Sequence, residues 1–417
     1  MAVPTGVPDV FDPRRYAAGV PHADFAWLRE HAPVSWQAEH AVGDWPAGPG
    51  FWAVTRYADV VAVLKDPGAF SSWLGATQIR DPAPEDLPFV RRMMLNLDPP
   101  EHGKLRRIVS RAFTPRRVER FRAEVAARAR RLVDDVVDRG ECDLVEITDD
   151  YPLRNLADLL GVPEPDRGML LGWTNRIIGY QDPEHAEVVR DTGGRPVNPR
   201  SPALLADMFG YARQLAEHKR RVPADDVMTA LATAEVDGRV LTDAELGMFF
   251  FLLSVAGNDT VRSAVPGGML AFARHPAQHR LLLRNPDLLD RAVEETLRYH
   301  PPVLSFRRTA RRNAELGGAR IRAGDKVVVF HCSAHFDERR FDAPHRFDIR
   351  RNPNPHLAFG DGPHVCLGAH FARLQLRAFY AEALWRMREL RVTGPVRHLV
   401  SNFINGVKHL PIASVPG

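Results

Sequence analysis

A glycine-rich loop with a single cysteine constrains the fold of this chain more strongly than any other segment. The loop runs from Phe359 to Gly368, reads FGDGPHVCLG, and carries its cysteine at position 366. Glycine permits positive φ and lets the backbone approach a bulky group closely. A segment with an apolar stripe, from Ala369 to about Leu390, follows directly. A helix that began there would point free N–H groups at the Cys366 sulfur and favour its thiolate.

Two interpretations of Cys366 are open at this point. In one, the sulfur is the axial ligand of a metal such as a haem iron, which needs a thiolate in a tight loop lined by N–H groups. In the other, Cys366 is a small buried hydrophobe in a turn, the usual role of a lone cysteine. The remaining cysteines, Cys142 and Cys332, lie far away in the sequence. The chain therefore predicts neither a disulfide framework nor a cysteine zinc site.

Composition excludes several classes of function. The 417 residues are 45% hydrophobic and 26% charged, which is typical of a globular protein with a substantial core. The net charge is only +4, and the basic residues are scattered without interleaved aromatics, so we expect no nucleic-acid binding. The first 13 residues contain no apolar stretch, and the longest apolar run, about 246–257, is too short to span a bilayer. We expect a cytoplasmic protein without a membrane anchor.

Periodicity predicts a mainly α chain with small β-sheets, folded as one domain over residues 1–417. The β-rich portion is expected at about 33–72 and 303–360. Thr242 to Glu245 fits a capping box, and Asn285-Pro286 fits an N-cap followed by proline at the first helical position. Apolar spacing predicts helices at 117–139, 201–220, 243–274, 285–299 and 369–390, and strands at 51–55 and 326–330.

The helix predicted from position 243 carries a polar break in its apolar run. Gly257 costs about 1 kcal/mol there relative to alanine. Thr260 can hydrogen-bond to a carbonyl one turn earlier, and a buried Asp259 is costly unless it has partners or work to do. Either this is a kinked helix with a surface aspartate, or it is a groove over a flat cofactor with a hydroxyl and a carboxyl placed to pass protons. Pro266, followed by two glycines, should kink or loosen the same helix.

Two further clusters are candidate charge networks. Glu295 and Arg298 are three apart, hence on one face of a helix. They form either an ordinary surface ion pair or, with Arg346 as third member, a buried network. His102 and Arg106 are four apart and form a plausible clamp for a carboxylate, which Arg308 and His364 could share. His102 alone would be read as a solvated surface histidine.

The clusters occur in one order along the chain, and together they resemble the cytochrome P450 family of haem-thiolate monooxygenases, in its soluble bacterial form. The motifs are D-P-P-E-H from position 98, A-G-x-D-T from 256, E-x-x-R from 295, P-x-R-F from 344 and F-G-x-G-x-H-x-C-x-G from 359. The resemblance covers about residues 11–415. It implies a single-domain, triangular P450 fold with the haem between the long central helix and the helix after the cysteine loop.

The resemblance also implies roles for the matching positions. The axial ligand of the iron and the residues that shape its loop would be Cys366, Phe359, Gly360 and Gly368. The partners of the haem propionates would be His102, Arg106, Arg308 and His364. The oxygen side would be lined by Ala256 and Gly257, with Asp259 and Thr260 as the acid–alcohol pair that delivers protons. The structural triad beneath the haem would be Glu295, Arg298 and Arg346.

Cofactor and partners follow from the same resemblance. It implies haem b (iron protoporphyrin IX), with O2 as co-substrate. The chain contains no dinucleotide or iron–sulfur motif, so we expect no fused flavin or iron–sulfur centre. Electrons are then expected from a ferredoxin and its NAD(P)H-ferredoxin reductase. Candidate basic contacts for the ferredoxin are Lys104, Arg107, Arg111 and Arg373, for each of which a merely solvated helix surface is the alternative. We expect a monomer.

The segments expected to converge above the haem are largely apolar, which predicts a hydrophobic small-molecule substrate. Residues 347–359 and 401–410 resemble the branch that hydroxylates steroids, terpenes and methyl-branched lipids. A tailoring enzyme of polyketide, peptide or other secondary-metabolite biosynthesis is the alternative. A peroxide-using relative and a non-catalytic haem-binding scaffold partner of another enzyme are two more. The candidate substrate contacts are Trp73, Leu74, Met94, Leu253, Val303, Leu304, Phe306 and Phe403.

Overall fold

Apolar residues recur at helical spacing through most of the chain, and the structure, a computed structural model, folds these segments into helices. It describes residues 6–43, 45–178, 182, 184, 201, 204–236 and 238–416. The α-helices are α1 His22–His31, α2 Tyr57–Lys65, α3 Leu87–Val90, α4 Glu101–Ser110, α5 Pro115–Glu119, α6 Arg122–Arg139, α7 Leu144–Thr148, α8 Tyr151–Leu160, α9 Arg167–Ile178, α10 Ala206–Arg221, α11 Val227–Ala232, α12 Asp243–Arg274, α13 Pro276–Arg284, α14 Leu289–Tyr299, α15 His331–Ala334 and α16 Ala369–Arg386. Short 3-10 turns occur at Pro13–Tyr16, Met94–Asn96, Glu164–Asp166, Pro286–Leu288 and Gly362–His364.

The strands of the described residues are short, and seven of the fourteen lie in the regions predicted to be β-rich. They are β1 Val34–Gln37, β2 Phe51–Val54, β3 Phe70–Ser71, β4 Glu141–Asp143, β5 Glu235–Val236, β6 Arg239–Val240, β7 Ser305–Ala310, β8 Ala314–Leu316, β9 Ala319–Ile321, β10 Lys326–Phe330, β11 Met387–Val392, β12 Arg397–His398, β13 Val407–His409 and β14 Pro411–Pro416. The largest sheet has the order β1-β2-β10-β7-β3, with β2 and β10 parallel and the other pairs antiparallel. A second sheet, β11-β14-β4, is antiparallel and was not predicted.

Helix α12 runs for 32 residues through the largest hydrophobic core and contacts α8, α10, α14 and α16. It begins at the predicted capping box: the Glu245 N–H donates to Thr242 Oγ1 at 3.3 Å, and the Thr242 N–H donates to Glu245 Oε2 at 2.8 Å. Both orphan donors are thereby satisfied. Neither α12 nor any other helix in the described residues is long and apolar enough to cross a membrane.

The kink or loosening predicted at Pro266 does not end α12. The helix continues past Pro266 to Arg274. The glycines that follow serve packing instead. A Cβ on Gly267 would collide with the His300 ring, and a Cβ on Gly268 would collide with the Tyr380 hydroxyl. That hydroxyl donates to the carbonyl of Ala264 at 2.9 Å, so α16 is tied to the backbone of α12.

One predicted helix end is wrong, and the predicted N-cap residue Asn285 stands before Pro286 without a side-chain capping bond. The helix after the cysteine loop ends at Arg386, because Met387–Val392 forms β11 and pairs with β14. The buried residues of that segment, Met387 and Leu390, are three positions apart as in a helix, so local periodicity cannot reveal the strand. The Asn285 side chain does not cap a helix start. Its amide donates to the carbonyl of Leu281 at 2.9 Å, and α14 begins only after the 3-10 turn.

Candidate functional site

A large cavity lies between α12 and the cysteine loop. It contains about 1480 Å³ of space, including its opening to solvent. Helix α12 contributes Ala256, Gly257 and Thr260 to the wall, and the loop contributes Phe359 and Cys366. The cysteine and the hydroxyl of Thr260 therefore face one shared space.

The cysteine loop is shaped as the glycine spacing predicts. Gly360 and Gly362 adopt φ of +71° and +69°, a region that other residues rarely enter. The Cys366 N–H donates to the carbonyl of Phe359 at 2.7 Å and closes the loop. Helix α16 begins three residues later, at Ala369. The sulfur is accessible from the cavity.

The electrostatics of Cys366 differ from the prediction. The side chain lies deep among protein atoms, and burial raises the pKa of the thiol above its ordinary value. The backbone N–H of Gly368 and the charges of Arg106 and Arg373 lower that pKa, but by less. The start of α16 therefore does not by itself favour a thiolate. A metal cation at the sulfur would, because a coordinated thiol is deprotonated.

Four predicted propionate partners meet on one side of the cavity: His102, Arg106, Arg308 and His364. The two imidazole rings have centroids 4.1 Å apart. Burial lowers the pKa of Arg308 to about 10, that of His102 to about 4 and that of His364 to about 2. Among the described residues, neither guanidinium forms an ion pair with a carboxylate. Two guanidinium groups that form no ion pair with a carboxylate, beside an accessible thiol, fit a metalloporphyrin with carboxylate arms.

The predicted acid–alcohol pair is divided between two faces of α12. Thr260 lines the cavity, and its hydroxyl donates to the carbonyl of Ala256 at 2.9 Å. Asp259 is buried and does not line the cavity. Its Oδ1 lies 4.0 Å from Nη1 of Arg262, which is also hydrogen-bonded to Asp149. The hydroxyl can therefore meet a molecule in the cavity directly, whereas the carboxyl lies behind it.

The buried network on α14 includes Glu295 and Arg298, as predicted, but not the side chain of Arg346. Arg298 donates to both oxygens of Glu295 at 2.8 Å, and both side chains are fully buried. The Arg346 side chain is 59% exposed and pairs with Asp348 at 3.4 Å. Only its carbonyl joins the network, as an acceptor from Arg298. The third member of the network is Arg351, whose Nε donates to Glu295 at 3.2 Å.

The Glu295 carboxylate also holds the segment that leads into the cysteine loop. It accepts from the Asp348 N–H at 2.9 Å and from Asn354 Nδ2 at 3.1 Å. With Arg351, three donors from one short segment converge on a single buried carboxylate. The network therefore fixes the path of the chain just before Phe359.

Arg373, predicted as a contact for the ferredoxin, is instead held inside the protein between Phe359 and Glu294. The guanidinium lies over the ring at 4.3 Å and donates to both oxygens of Glu294, at 2.6 and 2.7 Å. Arg373 is thus committed to α14 rather than free for a partner protein. Of the other candidate ferredoxin contacts, Lys104 pairs with Glu101 at 2.8 Å. Arg107 and Arg111 are exposed, and neither has an ion pair in the part of the chain that the structure describes.

Half of the candidate substrate contacts line the cavity, namely Met94, Leu253, Val303 and Phe306. The other four, Trp73, Leu74, Leu304 and Phe403, do not. Trp73 is 40% exposed, with the Arg91 guanidinium 4.0 Å above its ring, and Arg91 also holds the carbonyl of Leu74. Leu304 is buried in a separate core beside the sheet. Phe403 stacks edge-on behind Phe306 at 5.6 Å.

Two residues of this region were missed by sequence reasoning. Arg351 adjoins another arginine, and only its burial distinguishes it from Arg350 and Arg346. His331 lines the cavity from the start of α15. It belongs to no motif, so no local pattern singled it out.

Comparison with known proteins places these features in context. A family model for cytochrome P450 matches residues 281–389. The steroid C26-monooxygenase of Mycobacterium tuberculosis is 40% identical over 408 residues, which are 96% of this chain and 91% of that protein. The methyl-branched lipid omega-hydroxylase of the same species is 41% identical over 394 residues, 93% and 90% of the two chains. A solved Mycobacterium marinum cytochrome P450 in complex with pseudoionone matches with a TM-score of 0.84 at 39% identity, over 96% and 97% of the two chains. The predicted fold class is confirmed.

Proposed function

The chain belongs to the cytochrome P450 family of monooxygenases that act on hydrophobic compounds, and we propose that Cys366 is the residue that ligates its haem iron. One observation carries the proposal. A single cavity brings together an accessible thiol, the buried guanidinium of Arg308, the half-buried guanidinium of Arg106 and a hydroxyl from α12, and among the described residues neither guanidinium forms an ion pair. A buried cysteine in an inert turn would need none of these neighbours.

The residues of the cavity suit haem b. When bound, the haem supplies oxygen activation and transfer of one oxygen atom to the substrate. The Cys366 sulfur would hold the iron, and the Phe359 ring would cover the loop beside it. Carboxylate arms would be met by Arg106 and Arg308, assisted by the imidazoles of His102 and His364, because charge-assisted hydrogen bonds are the strongest that the site offers.

Thr260 and Asp259 are proposed as the proton-delivery residues. The Thr260 hydroxyl faces the cavity and already donates to the Ala256 carbonyl. Its oxygen can therefore accept a hydrogen bond from a donor such as water. Asp259 lies one residue away on the buried face and would supply protons from behind. A positioned proton donor of this kind typically contributes about a hundredfold or more to a rate.

The proposed substrate is a steroid, a terpenoid or a branched lipid. The apolar side chains Met94, Leu253, Val303 and Phe306 support a hydrophobic ligand with few polar anchors. The two Mycobacterium tuberculosis relatives are named for a steroid and a methyl-branched lipid, which supports the same class.

We further propose that residues 1–417 act as one cytoplasmic, monomeric unit without a fused flavin or iron–sulfur centre. Its electrons would come from a ferredoxin and an NAD(P)H-ferredoxin reductase. The exposed Arg107 and Arg111 on and just after α4 support docking of an acidic partner. The absence of any reductase motif from the sequence supports separate redox proteins.

The test is the spectrum of the reduced protein with carbon monoxide. We expect a strongly red-shifted Soret band in the wild type and its loss in Cys366→Ala, while Cys142→Ala keeps it. A wild-type protein that binds haem without this band, or a Cys366→Ala variant that retains it, would refute the ligand assignment. A panel of steroids, terpenoids, branched fatty acids and macrolide polyketides, screened for the spin-state shift, then tests the substrate class. Binding of the polyketides alone would favour a tailoring enzyme instead.

A further inference from the structure

Gln375 carries an amide donor to the cavity from α16. Only 1% of the residue is exposed, and it lines the cavity. Its Nε2 donates to no group of the described residues, yet this atom retains accessible surface. Because the residue is otherwise buried, that surface opens into the cavity. The amide nitrogen is therefore a buried donor that faces an open space.

Two neighbouring side chains determine which end of this amide faces the cavity. Arg128 of α6 donates from Nη1 to Oδ1 of Asn155, and a guanidinium can only donate. Asn155 must therefore present its Nδ2 to Gln375, and this atom donates to Gln375 Oε1 at 3.0 Å. Asn155 is also 1% exposed and does not line the cavity. With its oxygen engaged, Gln375 is left with Nε2 on the cavity side.

The three side chains form a chain of hydrogen bonds that all donate in one direction, from a cation toward the cavity. Arg128, 12% exposed, also donates to Asp158 at 2.8 Å, which anchors its guanidinium to α8. Hydrogen bonds in such a chain polarise one another and strengthen the last donor. An unsatisfied buried donor costs about 1–3 kcal/mol, so the Gln375 N–H is expected to have a partner in the cavity.

The expected partner is a water molecule. The acceptors that a protoporphyrin offers are its carboxylates, for which Arg106 and Arg308 are already proposed. The proposed substrate is hydrophobic and has few polar groups. A water whose oxygen accepts from Gln375 keeps both of its O–H groups free to donate, so the direction of the chain continues through it.

The chain of donors reaches the cavity beside the polar turn of α12. Leu156 follows Asn155 in α8, and its Cδ1 would lie 2.9 Å from a Cβ on Gly257. Thr260, three positions further, lies on the same face of α12 and lines the cavity. We propose that Gln375 is a positioning residue that holds a water in the cavity, with Nε2–H donating to the water and the water's O–H groups turned toward α12. The inference rests on the proposed haem site and adds to it a residue outside the acid–alcohol pair.

The experiment combines a crystal structure with an infrared measurement, both on the haem-loaded protein. In the crystal structure we expect a water at about 3 Å from Gln375 Nε2. In the ferrous carbon monoxide complex we expect Gln375→Leu to raise the C–O stretching frequency, because the cavity loses a donor and its potential becomes less positive. Asn155→Asp should raise the frequency as well. Paired with Arg128, this carboxylate stays ionised and cannot donate, so the Gln375 amide must rotate and present its oxygen to the cavity.

Gln278→Glu is the matched control, since it makes an amide into a carboxylate elsewhere. Gln278 Oε1 accepts from the Ile349 N–H at 3.0 Å, a bond that glutamate keeps, and the residue does not line the cavity. The C–O frequency should not change in this variant. A merely structural role of Gln375 predicts no change in Asn155→Asp either, because that side chain keeps its shape and lies outside the cavity.

The inference is overturned if no water lies at Gln375 Nε2, or if the C–O frequency is unchanged in either variant. Should Gln375→Leu fail to take up haem, the wild-type crystal structure and Asn155→Asp decide. If the wild-type protein lacks the red-shifted Soret band with carbon monoxide, it is the proposed haem site that fails.

Discussion

Thr260 presents its hydroxyl to the cavity, and its neighbour Asp259 points into the protein, so the two can be tested separately. We expect Thr260→Ala to keep consuming NAD(P)H but to release hydrogen peroxide, because the proton donor on the cavity side is lost. Product formed per reductant consumed should fall at least about tenfold. The measurement is the yield of product and of peroxide in one reaction with the same substrate.

Ser263 is the control for this experiment. Its hydroxyl donates to the carbonyl of Asp259 at 2.8 Å, the same back-bond that Thr260 makes, but the residue does not line the cavity. Ser263→Ala should leave the coupling of reductant to product unchanged. Normal coupling in Thr260→Ala would remove that hydroxyl from the proton path.

Individual residues could be predicted where function depends on local sequence. The cysteine loop needs glycines at fixed positions. Its spacing therefore predicts Cys366 as the candidate ligand and a positive φ at Gly360, and the structure shows that φ. The direction of the Cys366 pKa shift could not be predicted, since burial by distant segments outweighs the helix start. The position of His331 in the cavity wall could not be predicted either, because it depends on which segments the fold brings together.

At the level of whole elements, the buried network on α14 contains the side chain of Arg351 but not that of Arg346. Arg351→Ala removes a 10% exposed cation from the buried Glu295 carboxylate, and we expect a loss of about 3 kcal/mol in the free energy of unfolding. Arg346→Ala removes a solvent-exposed side chain and keeps the carbonyl that Arg298 uses. It should change stability by no more than about 0.5 kcal/mol. Chemical denaturation of both variants decides between Arg351 and the predicted Arg346, and equal losses would contradict the assignment.

Glycines in two helices differ in the space around their Cα atoms. Gly268→Ala places a methyl group against the Tyr380 hydroxyl, so we expect overpacking to cost about 1–3 kcal/mol of stability. Gly210, in α10, has no atom within 4 Å of a Cβ position. Gly210→Ala should instead stabilise by up to about 1 kcal/mol, because alanine is the better helix former. A pair of thermal unfolding curves checks both signs, and a stabilised Gly268→Ala would show that the helices can separate there.

A helix start that is fixed by local capping hydrogen bonds could be predicted, whereas a helix end that is set by a distant strand partner could not. The capping box at Thr242 predicts where α12 begins, since both of its bonds are local. The end of α16 depends on β14, which is supplied by the C-terminal residues. The close packing at Gly268 of α12 likewise involves Thr296 of α14 and Tyr380 of α16, which no local pattern places there.

For the whole molecule, the exposed side chains of Arg107 and Arg111 predict where an acidic ferredoxin docks to transfer its electrons. We expect the double variant Arg107→Glu, Arg111→Glu to be reduced at least about tenfold more slowly by a ferredoxin at low salt, because electrostatic attraction speeds the encounter. The difference should shrink as salt rises and screens the charges. Stopped-flow reduction at several ionic strengths measures it.

The same charge change elsewhere is the control. Arg322 is exposed in the turn between β9 and β10, outside α4. Arg322→Glu should leave ferredoxin reduction unchanged, and dithionite should reduce every variant at the wild-type rate. A double variant that keeps wild-type kinetics at low salt would place the docking surface elsewhere.

The buried guanidinium of Arg308 and the half-buried guanidinium of Arg106 bear on how the protein matures in a cell. A polypeptide that closes around two positive charges before any anion reaches them is destabilised by both. Porphyrin capture then stabilises the native state by mass action, so folding and loading are thermodynamically linked. The yield of mature protein should accordingly follow the supply of iron porphyrin during synthesis, with starved cells accumulating protease-sensitive chains.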